Sequence, residues 1–577
     1  MSISMAMPWN DGEEKMQRLL HVPLQDNPTS TFLTHQASFL LQRAPLLAFG
    51  TLDSQFRPWS TLWGGEPGFS EPLGGDFLDT RTLVDGKNDP VVQALVGDAE
   101  IGETSHPKDS GKLVAGLTID LMTRKRVKLA GRMITGTVKD VGIEVQSESE
   151  MTQQQLQLVT KIDQSMGNCP KYLNQYEISP AIVNSRLVSQ GPELTDEGRA
   201  LISKSDMFFL STSVEDDMDV NHRGGPPGFV RIISSNQIVY PEYSGNRLYQ
   251  SLGNLQLNPK IGMTFPDYET GDVLYLTGTT EILISTDAST LLPGSNLAVK
   301  ITINEAHFVA GGLPFRGVRK TPSPYNPLVR KLTSEGNIKA SLKSQKTARL
   351  VRKELITPSI ARFTFSIPEG IKYEAGQWVA MDFKQWLDRG YQHMRNEDPT
   401  SLNDDFVRTF TISSAPKLNG AEEKEFEITI RKVGPVTQYL VQQNEQAGFE
   451  VLILGVGGEF KMKQEKNSVT PFIAGGVGIT PLLGQLSTLE ISPDRFKLFW
   501  TVRASDVGMV TDTFKRQPEL GKCTEVFFTG NITADDSTAI GKVIFSGATT
   551  VNRRLTKSDL DGIEAQRWVR RHTPMAR

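Results

Sequence analysis

Two stretches in the last third of the chain decide its fold: Arg408-Thr-Phe-Thr-Ile-Ser-Ser414 and Gly475-Gly-Val-Gly-Ile-Thr-Pro481. The first alternates with period two, which predicts a strand with Arg408, Phe410 and Ile412 on one face. The second follows the apolar run PFIA and ends in a proline, which predicts a strand, a glycine-rich turn and a helix start. Together they indicate an antiparallel region followed by a parallel α/β sheet.

Working outward, the antiparallel region is predicted from short alternating strands separated by turn residues, at 361–367, 377–383, 408–413 and 425–432. Such spacing is typical of a small antiparallel barrel. From residue 470 the pattern changes to strand, turn, helix and strand, with FKLFWTV as the second strand. We therefore predict a barrel over 347–462 and an α/β domain over 463–577.

The Arg408 strand carries groups that suit a flavin. A flavin needs a cation for its pyrophosphate, a flat surface for its ring and a hydroxyl near N5. Arg408, Phe410 and Thr411 would supply these in turn if the strand is twisted, which makes Thr411 the candidate catalytic residue. The stretch 431–437 then offers a turn at Gly434, with the N–H groups of Val436, Thr437 and Gln438 directed at phosphate.

Each motif alone also has an ordinary structural interpretation. A strand of this kind is more often a sheet edge with a solvated arginine. A GGVG turn is usually only a tight strand-to-helix connection, and it is not the G-x-G-x-x-G dinucleotide fingerprint. The order and spacing of the three motifs are what favour a flavin and nucleotide site.

In that order, the motifs resemble the ferredoxin–NADP reductase superfamily over about residues 347–545. Its flavin barrel carries R-x-[YF]-[ST]-x-x-S, and its nucleotide domain opens with G-x-G-x-[TS]-P. The matching residues are Arg408, Phe410, Thr411 and Ser414, then Gly476, Gly478, Thr480 and Pro481, preceded by Gly475. The resemblance implies FAD on the barrel, NAD(P)H on the α/β domain and hydride transfer to flavin N5, with the protein supplying position and electrostatics.

Two features leave the choice of nucleotide and the completeness of the nicotinamide site undecided. Arg503 and Asp506 follow the FKLFWTV strand, where such proteins meet the ribose end of the nucleotide; an arginine favours a 2′-phosphate and an aspartate a free hydroxyl. Family members usually end with a strand and a Cys-Gly-Pro-like turn, whereas here the chain runs on into EAQRWVRRHTPMAR, and Cys523 lies too early to replace that cysteine. We therefore expect an atypical nicotinamide side.

The N-terminal half contains a repeat. GGEPGF at Gly64-Gly-Glu-Pro-Gly-Phe69 returns 160 positions later as GGPPGF, and a D-x-x-T…L-x-G pattern recurs in the same order at 120–131 and 267–278. Two motifs in one order predict two copies of a β-rich unit. Between them, the polar, Gln-rich stretch 151–176 is interpreted as a connecting helix.

The second copy is rich in ligand-type residues. HRGGPPGFV, the 243–254 stretch and Gly167-Asn-Cys-Pro-Lys171 resemble pyridoxamine 5′-phosphate oxidase-like split barrels over about residues 30–310. That family usually binds FMN between two barrels, so one duplicated chain would form such a pair by itself. In the first copy Trp63 stands in place of Arg223, which indicates that the first copy is the degenerate partner. An FMN is thus left open as a further cofactor, and the candidate phosphate contacts are Ser211, Arg223, Asn246, Arg247 and Asn254.

Composition excludes other classes. With a net charge of −4 and 22% charged residues, neither nucleic acid nor an anionic membrane is an expected partner. No apolar run is long enough to span a bilayer, and the acidic N-terminus is not a signal peptide. Two cysteines and no metal-ligand spacing predict no metal site, and reduced thiols favour the cytoplasm.

The expected fold is therefore multidomain α+β and α/β: a duplicated split barrel, an antiparallel FAD barrel and a parallel nucleotide-binding domain. The expected function is electron transfer from NAD(P)H through FAD to an FMN or small-molecule acceptor on the split-barrel region, with a homodimer permitted. The alternatives are a plain FAD reductase and a non-catalytic flavin-binding or interaction protein. The predicted segments are 1–29 (extension), 30–150 (first repeat), 151–194 (connecting helix), 195–320 (second repeat), 321–346 (linker), 347–462 and 463–577.

Overall fold

In the computed structural model, the described residues are 7–107, 111–144, 150–335, 346–417, 422–466 and 468–560. They form two compact units. Unit 1 is Met1–Glu335 with Tyr391–Asp404, and unit 2 is Gly336–Gly390 with Asp405–Arg577. The segment Tyr391–Asp404, here called the strap, therefore folds with unit 1 although it lies in sequence between two stretches of unit 2.

Unit 1 is mostly β-structure. Its helices are α1 (Asp11–Leu19), α2 (His35–Leu41), α3 (Pro90–Val96), α4 (Asp196–Lys204), α5 (Gln250–Leu257) and α6 (Thr286–Leu291). Its strands are β1 (Leu46–Leu52), β2 (Pro58–Gly64), β3 (Ser70–Gly74), β4 (Phe77–Leu83), β5 (Thr104–Ser105), β6 (Lys112–Asp120), β7 (Lys125–Glu144), β8 (Glu150–Gly167), β9 (Tyr176–Pro180), β10 (Arg186–Gly191), β11 (Met207–Val214), β12 (Asp217–Gly224), β13 (Arg231–Ser234), β14 (Gln237–Pro241), β15 (Lys260–Pro266), β16 (Val273–Ile284), β17 (Leu297–Ala310) and β18 (Phe315–Arg319).

Two antiparallel sheets in unit 1 share one topology. The first runs β2-β1-β6-β7-β8-β4-β3 and the second β12-β11-β15-β16-β17-β14-β13. Along these seven-strand paths each strand of the first sheet has its counterpart in the second, whereas the eighth strands differ: β5 pairs with β7 and β10 with β17. This repetition agrees with the recurring sequence motifs, while the assignment of each sheet to the split-barrel family stays a prediction.

One apolar core joins the two sheets. It combines residues such as Phe49 and Trp63 of the first sheet with Phe209 and Tyr275 of the second. Trp63 stacks on Phe49 with ring centroids 4.9 Å apart. On its other face the first sheet packs against α2, and the second packs against α1, α4 and α5. The first copy is thus filled by a buried indole where the second copy carries Arg223.

The predicted connecting helix over 151–176 is wrong. Residues 150–167 form β8, which pairs with β7 along its length, and β9 and β10 follow. Leu156, Leu158, Thr160 and Ile162 are buried at every second position, which is the period of a strand and not of a helix. The residues between them, Gln157, Val159 and Lys161, lie on the more exposed face, and the polar composition of the stretch concealed the alternation.

Unit 2 contains the barrel and the α/β domain. Its helices are α7 (Lys384–Leu387), α8 (Pro435–Gln442), α9 (Thr480–Leu483), α10 (Val507–Arg516), α11 (Glu519–Lys522) and α12 (Ala534–Phe545). Its strands are β19 (Lys346–Thr357), β20 (Ile360–Ile371), β21 (Trp378–Asp382), β22 (Val407–Thr411), β23 (Glu423–Arg431), β24 (Glu450–Gly457), β25 (Thr470–Gly475), β26 (Phe496–Arg503), β27 (Thr524–Thr529) and β28 (Thr549–Val551).

These strands form one antiparallel and one parallel sheet. The order β22-β21-β24-β19-β20-β23 is antiparallel throughout, and β25-β26-β27-β28 is parallel. The predicted sequence of an antiparallel region and then a parallel α/β region is confirmed. β20 is buried on both faces because Phe363 and Phe365 enter the barrel core while Arg362, on the other face, forms ion pairs with Glu354 and Asp512.

Candidate functional site

β22 lies at the edge of the antiparallel sheet and pairs on one side with β21. Phe410 is half-buried and packs edge-on to Phe383, with 6.3 Å between ring centroids. Ile412 is buried, whereas Thr409 and Thr411 point to the other face and keep exposed surface. The predicted alternation is therefore present, and the Thr411 hydroxyl remains accessible beside the strand edge.

Arg408 stands at the beginning of β22 with about a third of its side chain exposed. Its guanidinium donates to the Val407 carbonyl at 2.9 Å and lies 3.7 Å from an Asp405 carboxylate oxygen. Both contacts are short-range in sequence, so they hold the guanidinium at the start of the strand. This is the position that the sequence predicts for a pyrophosphate contact.

Ser414 has a structural role in this molecule. Its hydroxyl lies 2.9 Å from the Tyr373 hydroxyl and accepts a hydrogen bond from the Glu427 backbone N–H at 3.0 Å. Ser414 thereby fastens the turn after β22 to two neighbouring segments. Tyr373, which the sequence analysis did not single out, belongs to this support.

Trp378 supplies a second aromatic surface that the sequence analysis missed as a site residue. It pairs with Thr411 on one side and with Gly457 on the other. A Cβ placed on Gly457 would lie 2.5 Å from the indole, and one on Gly458 would lie 3.1 Å from it. The indole therefore rests directly on these glycines, next to the Thr411 hydroxyl. The stretch EAGQW contained the signal, since an aromatic follows a turn at a strand start.

The turn before α8 has the geometry predicted for phosphate. Gly434 is the N-cap, and the Thr437 hydroxyl accepts the N–H groups of Val433 and Gly434 at 2.9 and 3.0 Å. The Thr437 side chain is thus used in capping. The first-turn N–H groups of Val436 and Thr437 have no partner within the helix, which leaves them for an anion. The predicted contact from Gln438 is wrong, because its N–H donates to the Gly434 carbonyl at 2.8 Å.

The glycine-rich turn of the α/β domain approaches the end of β23. Gly476 has φ +49°, in the left-handed region that favours glycine, and a Cβ there would meet the Arg431 guanidinium at 3.2 Å. Its carbonyl accepts the Trp500 indole N–H at 3.0 Å. At the end of α9, a Cβ on Gly484 would lie 2.9 Å from the Ile412 carbonyl. The structure thereby brings the 475–481 turn against Arg431 at the end of β23, and Gly484, just after α9, against the 408–414 motif.

Open space lies at three of the predicted glycines. A Cβ on Gly434, Gly475 or Gly478 would meet no atom within 4 Å. Thr480 is buried and begins α9, with Pro481 in its first turn, as predicted. Room for a ligand is therefore present at the phosphate turn and at the nucleotide turn.

Asp506 does not face a nucleotide. It is 2% exposed, and its carboxylate binds Arg431 at 2.6 Å and the hydroxyls of Ser359 and Thr357 at 2.7 and 3.2 Å. The sequence interpretation of Asp506 as a ribose contact is wrong because these barrel residues already use its oxygens. Asp506 instead joins the α/β domain to the barrel within unit 2.

Arg503 is exposed and lines a pocket of about 410 Å³ at the carboxyl ends of β26, β27 and β28. Ligands of open parallel sheets bind outside this edge. Arg553 and Arg554, which the sequence analysis did not assign, line the same pocket. A bidentate ion pair with Asp559 holds Arg553, whereas Arg503 and Arg554 form no ion pair with the part of the chain that is described.

The candidate contacts of unit 1 do not form one open site. Arg223 makes a bidentate ion pair with Glu242, at 2.6 and 2.7 Å. Asn254 is buried and bonds to Asn10 and Thr212, and Ser211 is buried beside Gly262. The prediction that Ser211, Arg223 and Asn254 hold a phosphate is therefore corrected, because their polar atoms are buried or already paired.

Asn246 and Arg247 remain at the surface of the second copy. The Asn246 side chain accepts the Leu248 N–H at 3.2 Å. The Arg247 guanidinium lies 3.4 Å from the centre of the Tyr391 ring, in the strap.

His222 is buried, and its burial lowers the pKa of the imidazole well below its usual value. The positive charges of Arg126 and, to a smaller extent, Arg223 lower this pKa further. His222 is therefore neutral, with Nδ1 2.5 Å from Arg126.

Two general findings concern the described ranges only. No helix in them is both long and apolar enough to cross a lipid bilayer. They contain no cluster of three or more histidine, cysteine, aspartate or glutamate side chains placed to hold a metal ion.

No protein-family model matches the chain. Among curated proteins, the chain is 27% identical over 164 residues to the flavohemoprotein of Candida albicans, covering 28% of this chain and 39% of that protein. It is 29% identical over 147 residues to human dual oxidase 2, covering 24% of this chain and 8% of that protein. The chain thus spans well under half of these relatives.

Among solved structures, the chain is similar to the FAD/NAD-binding domain of a nitric oxide dioxygenase from Vibrio cholerae. The identity is 18% and the TM-score 0.27, covering 37% of this chain and 82% of that one. It is also similar to the cytochrome b5 reductase domain of Ulva prolifera nitrate reductase, at 17% identity and a TM-score of 0.24, covering 33% of this chain and 76% of that one.

Proposed function

We propose that the chain is an NAD(P)H-dependent, FAD-containing oxidoreductase whose unit 2 binds both cofactors. The observation that carries the proposal is the contact of the glycine-rich turn with Arg431 at the end of β23 and of Gly484 with Ile412 just after β22, with open space at Gly434, Gly475 and Gly478. The sequence similarity to a flavohemoprotein and to dual oxidase supports it. Because each match covers a small part of the relative, the acceptor of the electrons is a proposal of its own.

The residues of unit 2 fit an FAD. Arg408 and the first turn of α8 would neutralise the pyrophosphate, since a guanidinium and free N–H groups both favour anions. Trp378 would stack on the ring and the Thr411 hydroxyl beside it would donate a hydrogen bond near N5, whereas Phe410, on the opposite face of β22, packs against Phe383. A bound FAD would supply the redox chemistry of electron transfer from NAD(P)H. The 475–481 turn would position the nicotinamide, and the Arg503 pocket would hold the far phosphate.

For unit 1 we propose a small-molecule or flavin acceptor, with FMN on the second sheet as the specific candidate. The paired sheets, the buried ammonium of Lys171 and the partly exposed guanidinium of Arg247 support a site for a phosphate-bearing molecule there. A cytoplasmic location and a homodimer stay predictions. The second candidate function is a flavin-binding protein without turnover. The predicted departure of the chain after Leu560 from the family pattern lies outside the described residues.

One experiment separates these functions. The purified full-length protein is examined by visible spectroscopy, its flavins are released and identified, and NADPH or NADH is added without oxygen. We expect bound FAD that either nucleotide bleaches within seconds. A yellow protein that neither nucleotide bleaches supports the non-catalytic function, and a colourless protein that FAD cannot restore refutes both.

Arg408→Ala tests the placement of FAD. We expect this variant to lose FAD, because the pyrophosphate would lose its cation, while retaining the fold of unit 1. Arg389→Ala is the matched control, since Arg389 is an exposed arginine of the same unit. Equal FAD content in the two variants would show that the pyrophosphate lies elsewhere.

A further inference from the structure

The strap makes a set of specific contacts with the second half of unit 1. The Asn403 carboxamide oxygen accepts the Ser244 backbone N–H at 2.9 Å, and its nitrogen donates to the Tyr172 hydroxyl at 2.8 Å. The Tyr391 hydroxyl donates to the Gly245 carbonyl at 2.9 Å. The strap is therefore seated by both of its ends on residues 244–247, the stretch in which the sequence predicts a phosphate site.

Two cations lie under the strap with no acidic partner among the described residues. Lys171 is 1% exposed, and its ammonium donates to the carbonyls of His393 and Gly245 at 2.5 and 3.5 Å. Arg247 has its guanidinium over the Tyr391 ring. A buried ammonium that meets only carbonyl groups is poorly compensated, because charge in a protein interior is normally paired with an opposite charge.

Each positive group of this surface faces an electron-rich group of the strap. The Lys171 ammonium meets the His393 carbonyl, the Arg247 guanidinium meets the face of the Tyr391 ring, and the Ser244 N–H meets the Asn403 carboxamide oxygen. An ammonium, a guanidinium and a backbone N–H are together the groups that bind a phosphate monoester. The strap thus presents neutral acceptors at the positions where phosphate oxygens would be bound.

We propose that Lys171, Arg247 and the Ser244 N–H bind the phosphate of a phosphate monoester, and that the strap occupies this site until the ligand displaces it. The inference rests on the ligand-binding role proposed for unit 1 and is independent of the reductase chemistry of unit 2. The proposed ligand is a dianion, so its two negative charges would compensate the charges of Lys171 and Arg247. The strap offers these cations only carbonyl dipoles and an aromatic ring. The strap is then an internal competitor of that ligand.

The test compares FMN with riboflavin, which has the same ring and lacks the phosphate. Binding to the full-length, FAD-loaded protein is followed by flavin fluorescence in the wild type and in Asn403→Ala with Tyr391→Ala. Loss of these anchors should raise the population of the open strap, so we expect FMN to bind about tenfold more tightly while riboflavin binding is unchanged. Thr400→Ala is the control, because that hydroxyl bonds only within the strap, to Asp398.

Two further measurements identify the site. Adding Arg247→Gln to the strap variant should abolish the gain for FMN, which distinguishes this site from exchange of FMN into unit 2. In the wild type, trypsin should cleave faster after Arg395, which is buried in the seated strap, when FMN is present and not when riboflavin is present.

The proposal is overturned if the strap variant binds FMN no better than the wild type, if riboflavin gains equally, or if Arg247→Gln leaves the gain intact. Saturating FMN that fails to alter cleavage after Arg395 would overturn it as well. Bleaching of FAD by NAD(P)H is recorded on the same samples. If only the bleaching fails, the reductase function of unit 2 is refuted. The inference about the strap is then still decided by the FMN-binding and cleavage measurements.

Discussion

Replacing Asp506 by asparagine should lower the thermal stability of unit 2 without changing its preference between NADPH and NADH. Asp506 is 2% exposed and binds Arg431 at 2.6 Å, while the Arg431 side chain is 19% exposed. The asparagine keeps a hydrogen-bond acceptor for Ser359 and removes the charge. Arg431 would then keep its charge beside the Gly476 turn with its carboxylate partner gone.

The magnitude follows from the burial of the pair. Removing one partner of a fully buried ion pair costs about 3–5 kcal/mol. Because water reaches part of Arg431 and the Ser359 bond is retained, we expect about 2–3 kcal/mol here. In a domain of this size that loss lowers the melting temperature by roughly 5–10 °C.

The assay follows FAD release by its fluorescence during heating, with the unfolding of unit 1 recorded by circular dichroism on the same samples. Asp494→Asn is the control, because Asp494 is an exposed aspartate of the same domain. We expect Asp506→Asn to release FAD earlier with its ratio of NADPH to NADH activity unchanged. An unchanged release temperature together with an altered ratio would refute the structural role and restore Asp506 to the nucleotide site.

Two further predictions concern charge. Arg503→Ala and Arg554→Ala should each raise the KM for NADPH, by about fivefold to tenfold, and leave that for NADH nearly unchanged, because only NADPH brings a 2′-phosphate to their pocket; equal effects on both nucleotides in steady-state kinetics would place the phosphate elsewhere. Burial raises the pKa of Glu13 from 4.5 to about 7, so the folded protein holds this proton more strongly than the unfolded chain and unit 1 should lose stability as pH rises from about 4.5 to 7. Glu13→Gln, which keeps the capping interaction with Asn10, should flatten that dependence in thermal melts between pH 5 and 8, and an unchanged slope would contradict it.

The motifs of unit 2 were predictable because each is local. The alternation at 408–412 and the glycines at 475–478 fix a strand and a turn by backbone chemistry alone, and the structure has both. Trp378 shows the limit of such reasoning. Its place beside Thr411 depends on the pairing of β21 with β22, which no local pattern specifies.

The errors arose where partners are distant in sequence. Asp506 was interpreted from its place after a strand, but its partners Arg431 and Ser359 come from the barrel. Arg223 was interpreted from a motif, but Glu242 neutralises it. A charged side chain is evidence for a ligand only if no opposite charge of the protein already pairs with it. Whether it is already paired can be seen only once the fold is known. In 151–167 a strand was mistaken for a helix, because the many glutamines obscured the alternation of buried and exposed residues.

The shared core of the two unit 1 sheets has a consequence for dilution. When two such sheets belong to separate subunits, a site that needs both disappears as the subunits dissociate, and its occupancy depends on protein concentration. Here Ser60 of the first sheet and Thr264 of the second lie 2.8 Å apart within a single polypeptide. A ligand site built against this core therefore persists in a single molecule, and its affinity should be the same at nanomolar and micromolar protein.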